Sequence, residues 1–335
     1  MKPQQLDPKQ FKTLCDEIYA KNFETYLKGR KDLFMGLLTA YFCKGHVLVE
    51  GPPGTAKTLI AKLFAKTLSK TFKRIQFTND LMPEKITGSY YFHPGKGDYK
   101  FLPGPLFSDV ILADEINRAP PVTQSAFLEA MEEKQLTIKG NTVDLGDTFF
   151  VIATQNPSDY LGTFPLPEVQ LDRFIFSFYL SNLTFDEEID IVERHLSGKL
   201  PPNFHSLDCL EIEYSQIQAL LKTVKVDKTL INYAARIVGL TRHNENFQKG
   251  ASLRAILAIV KGAQMGALLD GRLESNAKDI QAYVLPALRH RLFLSKIGEE
   301  KKNKIEFYIE EIIRMVDVPP PTAQNNGSNG DKKVA

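Results

Sequence analysis

The stretch HVLVEGPPGTAKT occupies residues 46–58, and it decides the fold. Its first part, His46–Glu50, is short and mostly apolar, which is typical of a strand buried on both faces of a sheet. A glycine-rich turn follows, and Lys57-Thr58 then open a segment with apolar residues at helical spacing. In such a turn, backbone N–H groups and the following helix N-terminus converge on phosphate oxygens. The sequence therefore predicts a strand, a phosphate-binding loop and a helix, in that order.

The predicted loop supplies the candidate nucleotide-binding residues. We expect Lys57 to reach the β- and γ-phosphates as a point charge, and the Thr58 hydroxyl to ligate Mg²⁺. Ala56 stands where this motif usually has glycine, and its methyl group is tolerable if the residue has ordinary helical dihedrals. The alternative, a turn before a purely structural helix, is disfavoured by the complete order of strand, loop, Lys-Thr and helix. The expected binding residues are Gly51, Pro52, Pro53, Gly54, Thr55, Ala56, Lys57, Thr58 and Leu59.

Further apolar runs alternate with helical patterns through the first half of the chain. This alternation predicts an α/β fold in which a parallel sheet is covered by helices. The predicted strands are Arg74–Phe77, Val110–Ala113, Phe149–Ala153 and Ile175–Tyr179, and the clearest helices are Thr58–Ser69 and Val122–Glu133.

Two predicted hairpins interrupt the alternation. One pairs Tyr90–Phe92 with Tyr99–Leu102 across a Pro/Gly-rich turn, and the other pairs Gln135–Ile138 with Thr142–Leu145. From Thr184 onward only helical spacing remains. The helices predicted there are Asp186–Leu196, Lys228–Thr241, Ser252–Leu269 and Asn276–Arg289.

These patterns divide the chain into three parts. Residues 1–182 are expected to form an α/β nucleotide-binding domain that includes an N-terminal helical segment. Residues 183–317 are expected to form an all-helical domain. Residues 318–335 are rich in Pro, Asn, Gly and Ser, a composition that predicts a disordered tail.

Composition narrows the possible classes of protein. The 335 residues carry 42 Lys+Arg against 40 Asp+Glu, so the charge gives no reason to expect nucleic acid or an anionic membrane as partner. The three cysteines are scattered, which indicates neither a disulfide framework nor a zinc site. The N-terminus lacks the apolar core of a signal peptide. The longest apolar run, Phe34–Cys43, is too short for a bilayer, so we expect a soluble cytoplasmic protein without membrane insertion.

Polar residues follow two of the predicted strands. Asp114 and Glu115 come directly after Val110–Ala113. Beside the phosphate loop, Asp114 is expected to hold Mg²⁺ through its water, and Glu115 to polarise the water that attacks the phosphate. Asn156 follows Phe149–Ala153 and is expected to orient that water, although Asn-Pro alone is only a turn signal.

Together these segments resemble the AAA+ ATPases, and within them the MoxR family. The resemblance covers nearly all of residues 29–315. It implies a P-loop core that carries the helix-2-insert and pre-sensor-1 hairpins, followed by an all-α lid. It rests on GPPGTAKT, on ADEINRAPPVTQSAFLEAMEE (Ala113–Glu133), on ATQNP, on FPLPEVQLDRF (Phe164–Phe174) and on GASLRA (Gly250–Ala255).

The resemblance also implies roles for individual residues. Asn156 corresponds to sensor 1, and Arg254 corresponds to sensor 2, a lid arginine that contacts the γ-phosphate together with the catalytic residues of its own subunit. Arg173 corresponds to the arginine finger, which is offered to the nucleotide of the neighbouring subunit. Residues 27–30 correspond to the adenine cradle, with an altered pattern.

The sequence leaves the roles of two arginines open. Arg173 has a structural alternative, an ion pair with a nearby acid such as Asp172 or Glu168. Arg118 is a rival to Arg173 as the arginine acting in trans, or else it forms an ion pair at a helix start.

The resemblance implies an ATP hydrolase that uses ATP and Mg²⁺. Such a protein works as a homo-oligomeric ring, with a hexamer expected, and binds ATP between the sheet domain and the lid. It remodels or matures client proteins, among them partners with a von Willebrand factor A domain. The alternatives are a nucleic-acid motor resembling minichromosome maintenance helicases, a magnesium-chelatase-like motor subunit and a nucleotide switch without hydrolysis. Glu115 argues against the last.

Overall fold

The computed structural model of the protein describes residues 6–24, 26–27, 29–95, 97–138, 140–156, 162–182, 184–198 and 213–320. The strands are β1 (Val47–Glu50), β2 (Phe72–Gln76), β3 (Gly88–His93), β4 (Asp98–Pro103), β5 (Val110–Asp114), β6 (Gln135–Ile138), β7 (Asn141–Asp144), β8 (Phe150–Gln155) and β9 (Phe176–Tyr179).

Helices surround these strands, with a π-helical turn at Tyr19–Glu24 and a 3₁₀ turn at Ile116–Arg118. The α-helices are α1 (Pro8–Ile18), α2 (Lys31–Phe42), α3 (Lys57–Thr67), α4 (Pro83–Thr87), α5 (Pro121–Glu133), α6 (Glu168–Leu171), α7 (Phe185–Leu196), α8 (Tyr214–Leu221), α9 (Lys228–Thr241), α10 (Leu253–Leu269), α11 (Ala277–Leu288), α12 (Lys296–Glu300) and α13 (Ile305–Met315).

The main sheet is parallel, in the order β2-β5-β8-β1-β9. Every strand predicted for it is present, so the predicted α/β class is confirmed. The register aligns the carboxyl ends of the strands, with Glu50 beside Gln155 and Gln76 beside Asp114. In parallel sheets of this kind, ligands bind at that edge.

Each central strand contributes side chains to two separate cores. Val47 and Val49 of β1 pack into the core under α2 and α3, whereas Leu48 packs into the core under α5. Because side chains alternate between the faces of a strand, an uninterrupted apolar run is what a sheet covered on both faces requires.

Both predicted hairpins are present as separate antiparallel pairs. Tyr90 pairs with Phe101 in β3–β4, and Leu136 pairs with Val143 in β6–β7. The tips of the two hairpins include Lys96 and Lys139, which lie outside the described residues.

The described part of the chain after Thr184 contains helices and isolated β-bridges but no strand. The all-helical prediction for this region is therefore confirmed. Tyr283 of α11 attaches it to the sheet, since its hydroxyl bonds Thr39 Oγ1 of α2 at 2.8 Å and its ring packs against Phe176 of β9. None of the described helices is both long and apolar enough to span a membrane. The domain boundary near Asn182 stays a prediction, and the predicted tail beyond Pro320 lies outside the described residues.

Two buried histidines connect elements near the amino-terminal edge of the sheet. The backbone N–H of Val151 donates to His46 Nδ1 at 3.0 Å, so His46 Nε2 donates to the Met131 carbonyl at 2.9 Å. His290 Nε2 bonds the Phe174 carbonyl at 2.9 Å. Burial, and after it the nearby charge of Lys134, lower the pKa of His46 to about 3. Burial and Arg291 hold the pKa of His290 well below its usual range.

Acid is therefore expected to destabilise the fold before the carboxylates titrate. Both histidines stay neutral in the folded chain but bind protons in the unfolded chain below about pH 6.5, so stability is lost as pH falls through that value. Each histidine should lower the free energy of unfolding by about 1.4 kcal/mol for each pH unit below about 6.5. Urea unfolding at pH 7.5 and 5.5 measures the loss. In His46→Gln the loss of unfolding free energy between the two pH values should be about half that of the unsubstituted chain. An unchanged loss would contradict the conclusion that neutral, buried His46 contributes to the acid sensitivity.

Candidate active site

The phosphate loop connects the end of β1 to the start of α3, and two glycines allow its path. A Cβ on Gly51 would lie 2.5 Å from the Leu180 carbonyl oxygen, so any side chain there would collide with backbone. Gly54 has a φ of +83°, in the left-handed region that glycine adopts without a steric cost. The loop is therefore held close to the end of β9, which pairs with β1.

Ala56 differs from the expectation of ordinary helical dihedrals. Its φ of 62° and ψ of 21° place it in the left-handed region immediately before α3. For a residue with a Cβ this conformation costs about 1–2 kcal/mol. The condition of ordinary helical dihedrals is therefore not met: at this position the loop takes the left-handed turn that glycine usually supplies, and Ala56 adopts it under strain.

Lys57 turns its ammonium group back over the loop. Its Nζ donates to the carbonyl oxygens of Gly51 and, at 2.9 Å, of Pro52. Burial lowers the pKa of Lys57, and the nearby carboxylates of Asp114 and Glu115 oppose that shift. The ammonium group of Lys57 thus lies at the mouth of the loop, and its contact with phosphate stays a prediction.

Asp114 ends β5 with both carboxylate oxygens engaged. Oδ1 accepts a hydrogen bond from the Thr154 hydroxyl at 2.6 Å. Oδ2 accepts from Arg74 Nε at 2.9 Å and from Arg74 Nη2 at 2.6 Å. The carboxylate is almost entirely buried and has a fixed orientation.

Glu115 is also held in a strained conformation, with a φ of 57° and a ψ of 51°. Its backbone N–H donates to Thr154 Oγ1 at 2.9 Å, and its Oε2 accepts from Gln76 Nε2 at 2.8 Å. The same oxygen lies 3.2 Å from Arg118 Nε. Within the chain, Arg118 therefore makes an ion pair with this acid, and which arginine acts in trans stays a prediction. Strained backbone that several contacts fix in this way is typical of functional sites.

A cavity of about 360 Å³ brings these groups together at the carboxyl edge of the sheet. Thr58 and Asp114 are oxygen donors, which suit Mg²⁺. Leu59 instead packs against the core. The cavity is lined by Pro53, Gly54, Thr55, Ala56, Lys57, Thr58, Arg74, Asp114, Glu115, Thr154, Gln155 and Asn156.

Three residues at this edge of the sheet were not anticipated from the sequence: Arg74 and Thr154, which line the cavity, and Gln76, which bonds Glu115. Arg74 and Gln76 point to the same side of β2, and β2 pairs with β5, the strand that ends in Asp114. The alternation of polar, apolar and polar residues in Arg-Ile-Gln was a usable signal that the two polar side chains lie on one face of the strand. The pairing of β2 with β5 was not visible in the sequence.

Arg173 and Arg254 form a second cluster around Glu132 of α5. Arg173 Nε lies 3.1 Å from Glu132 Oε2, and Arg173 Nη1 donates to the Leu128 carbonyl at 2.8 Å. Arg254 Nη2 lies 2.6 Å from Glu132 Oε1. The alternative partners expected for Arg173, Asp172 and Glu168, are not the acids it contacts.

This cluster lies at the opposite edge of the sheet from the phosphate loop. Together with His46, which precedes β1, it lines a separate cavity of about 350 Å³. The loop instead follows β1, whose residues span roughly 13 Å. The implied grouping of Arg254 with Asn156 and Glu115 in one subunit is therefore wrong for this conformation. The lid packs beside α2, β9 and α5, which directs Arg254 towards Arg173.

A larger groove of about 940 Å³ lies among the lid helices, between Leu230, Leu273 and Pro319. It contains no residue of the phosphate loop or of the Glu132 cluster. The charged groups predicted to bind the nucleotide converge instead in the smaller cavity.

Comparison with known proteins agrees with this geometry. Residues 46–176 match the model of the ATPase family associated with various cellular activities, and residues 239–312 match the AAA lid domain. Chaperone MoxR1 of Mycobacterium tuberculosis is 36% identical over 304 residues, which are 88% of this chain and 80% of that protein. The chain belongs to the MoxR family of AAA+ ATPases.

Other relatives extend the similarity along nearly the whole chain. The uncharacterized protein YeaC of Bacillus subtilis is 40% identical over 297 residues, covering 87% of this chain and 91% of that protein. A crystal structure from Cytophaga hutchinsonii, of a protein assigned as an ATPase, matches with a TM-score of 0.83 at 32% identity. The match covers 93% of this chain and 97% of that one. This MoxR-family protein is accordingly a nucleotide-binding ATP hydrolase.

The adenine region of this family member stays a prediction. Leu27 is buried in the core, and Lys28 lies outside the described residues. Gly29 and Arg30 precede α2 and do not line the phosphate cavity.

Replacing Ala56 by glycine is expected to stabilise this P-loop. Relief of about 1–2 kcal/mol of left-handed strain exceeds the roughly 0.4–1 kcal/mol lost to greater freedom of the unfolded chain. Urea unfolding should show a gain of up to about 1 kcal/mol. The matched control is Ala61→Gly, inside the same helix, which should lose at least about 1 kcal/mol. Equal losses in both variants would show that Ala56 carries no strain.

Proposed function

We propose that this chain is a Mg²⁺-dependent ATPase that works as a hexameric ring, with each active site completed by a neighbouring subunit. The observation that carries the proposal is the division of charged groups between two edges of one sheet. Lys57, Glu115 and Asn156 lie at the carboxyl edge, and Arg173 and Arg254 lie at the other. In a head-to-tail ring each interface joins two different surfaces of the subunit, so one edge of a subunit can face the other edge of its neighbour.

The edge that carries Arg173 has the charge to receive a triphosphate. Its acids are Glu132 and Asp172, and Asp172 is already paired with Arg291 at 2.6 Å. Lys134 Nζ is buried and makes no hydrogen bond in the structure. An arginine offered to a neighbour's γ-phosphate contributes about 10³–10⁵ in rate. The basic side chains that line this cavity are Lys44, Lys134, Arg173, Arg254, Lys261 and Arg291.

Contacts between the lid and the segment after Arg173 support a coupling of hydrolysis to motion. Arg291 is buried, and its guanidinium donates to the Phe174 carbonyl at 2.6 Å as well as to Asp172. Ser252, two residues before Arg254 in the sequence, donates to the same Asp172 carboxylate. A change in lid angle would therefore move both trans arginines together.

The proposed substrate of this motion is a client protein. One relative is named a chaperone, and family resemblance suggests partners with a von Willebrand factor A domain. Tyr91, Phe92 and Tyr99 of the β3–β4 hairpin are exposed, and such aromatic side chains suit contact with a protein chain. No observation in the described residues favours the helicase-like or chelatase-like alternatives.

Glu115→Gln should remove hydrolysis but keep nucleotide binding. A glutamine retains the shape but cannot accept the proton of the attacking water, so turnover should fall by at least about a hundredfold. Phosphate release measures turnover, and calorimetric titration with ADP measures binding. Glu129→Gln, an exposed position on α5, is the matched control. Undiminished turnover in Glu115→Gln would exclude Glu115 as the base.

Mixing two inactive variants tests whether Arg254 acts across the interface. Arg254→Ala and Glu115→Gln should each be inactive alone. Mixed in equal amounts, they should recover about a quarter of the unsubstituted rate, because random ring assembly makes that share of interfaces complete. Arg173→Ala should behave in the same way. If Arg254 acts within its own subunit, the mixture with Glu115→Gln stays inactive.

A further inference from the structure

Arg74 gives the buried carboxylate of Asp114 a cationic partner from its own chain. The two Arg74 N–H groups that reach Asp114 Oδ2 use both acceptor positions of that oxygen. Oδ1 is shared with the Thr154 hydroxyl. The carboxylate expected to face the metal is thus already neutralised and saturated on one oxygen.

The same cavity is electrically balanced without any added cation. Among its lining residues, Arg74 and Lys57 oppose Asp114 and Glu115. Mg²⁺ next to Asp114 would bring two further positive charges close to the guanidinium, and because Asp114 is largely buried, water screens that repulsion only in part. Arg74 and a metal ion therefore compete for Asp114.

Arg74 is placed to yield to the metal. Its side chain is 47% exposed, against 11% for Asp114. Its other partner, Gln76, also bonds Glu115, so a shift of Arg74 would be felt by the expected catalytic base. An exposed guanidinium at the rim of a cavity can move without disturbing the core.

We propose that Arg74 is a positioning residue that occupies Asp114 as a built-in cation and is displaced when Mg²⁺ binds with the nucleotide. The inference rests on the proposed Mg²⁺-dependent ATP binding. Arg74 then makes metal binding less favourable, because its guanidinium must first leave Asp114. The site therefore stays in a neutral resting arrangement until metal and nucleotide arrive together.

The test compares nucleotide affinity with and without metal in the full chain. Calorimetry gives the Kd of ADP in EDTA and in saturating Mn²⁺. The ratio of the Kd in EDTA to the Kd in Mn²⁺ measures the coupling between metal and nucleotide. Arg74→Gln should raise this ratio at least about fivefold, because the competitor is gone. Lys73→Gln is the control, since it removes an exposed charge from the same strand outside the cavity. A ratio that is unchanged or lower in Arg74→Gln overturns the proposal.

A second variant and the behaviour of the unsubstituted chain make the test decisive. Arg74→Lys keeps the charge but loses the fork that holds Oδ2, so its ratio should fall between those of the unsubstituted chain and Arg74→Gln. A ratio for Arg74→Lys at or below the unsubstituted value would count against competition, even if Arg74→Gln failed to fold. If the unsubstituted chain shows no metal-enhanced ADP binding, the proposed function itself fails. If metal enhances ADP binding in the unsubstituted chain but substitution of Arg74 does not change that enhancement, only the role of Arg74 is refuted.

Discussion

The pairing of β1 with β8 on one side and β9 on the other is the constraint on which both functional edges depend. It places the phosphate loop beside the polar ends of β5 and β8, where Asp114 and Asn156 lie. At the opposite end of the same strand, His46 bonds the end of α5 and so positions Glu132 and the arginines around it. A single buried strand therefore sets the distance between the residues of the phosphate loop and the arginines proposed to act on a neighbouring subunit.

Strain and charge are both concentrated at the phosphate edge. Ala56 and Glu115 have left-handed backbones, and hydrogen bonds from neighbouring strands hold Glu115 in place. Lys57, Asp114 and Glu115 each have partners within the chain. Binding of a nucleotide at this edge would exchange these internal contacts for contacts with phosphate.

Local patterns were sufficient to predict most of the fold and part of the site. The strand at His46–Glu50, the loop and Lys57 are contiguous, and the acids after β5 directly follow an apolar run, so short-range rules identify them. Arg74 escaped notice because its importance depends on the pairing of β2 with β5. The placement of Arg254 was wrong because it depends on how the lid docks, which no local pattern records.

The sequence by itself determined the α/β class, the hairpins, the helical lid and the phosphate loop, because each is encoded by residues adjacent in the chain. Only the tertiary structure decided which charged groups share a site. It joined Arg173 and Arg254 through Glu132, and it set Arg74 against Asp114. The physical reason is that ion pairs between distant segments depend on strand order and helix docking, whereas local hydrophobic periodicity depends only on secondary structure.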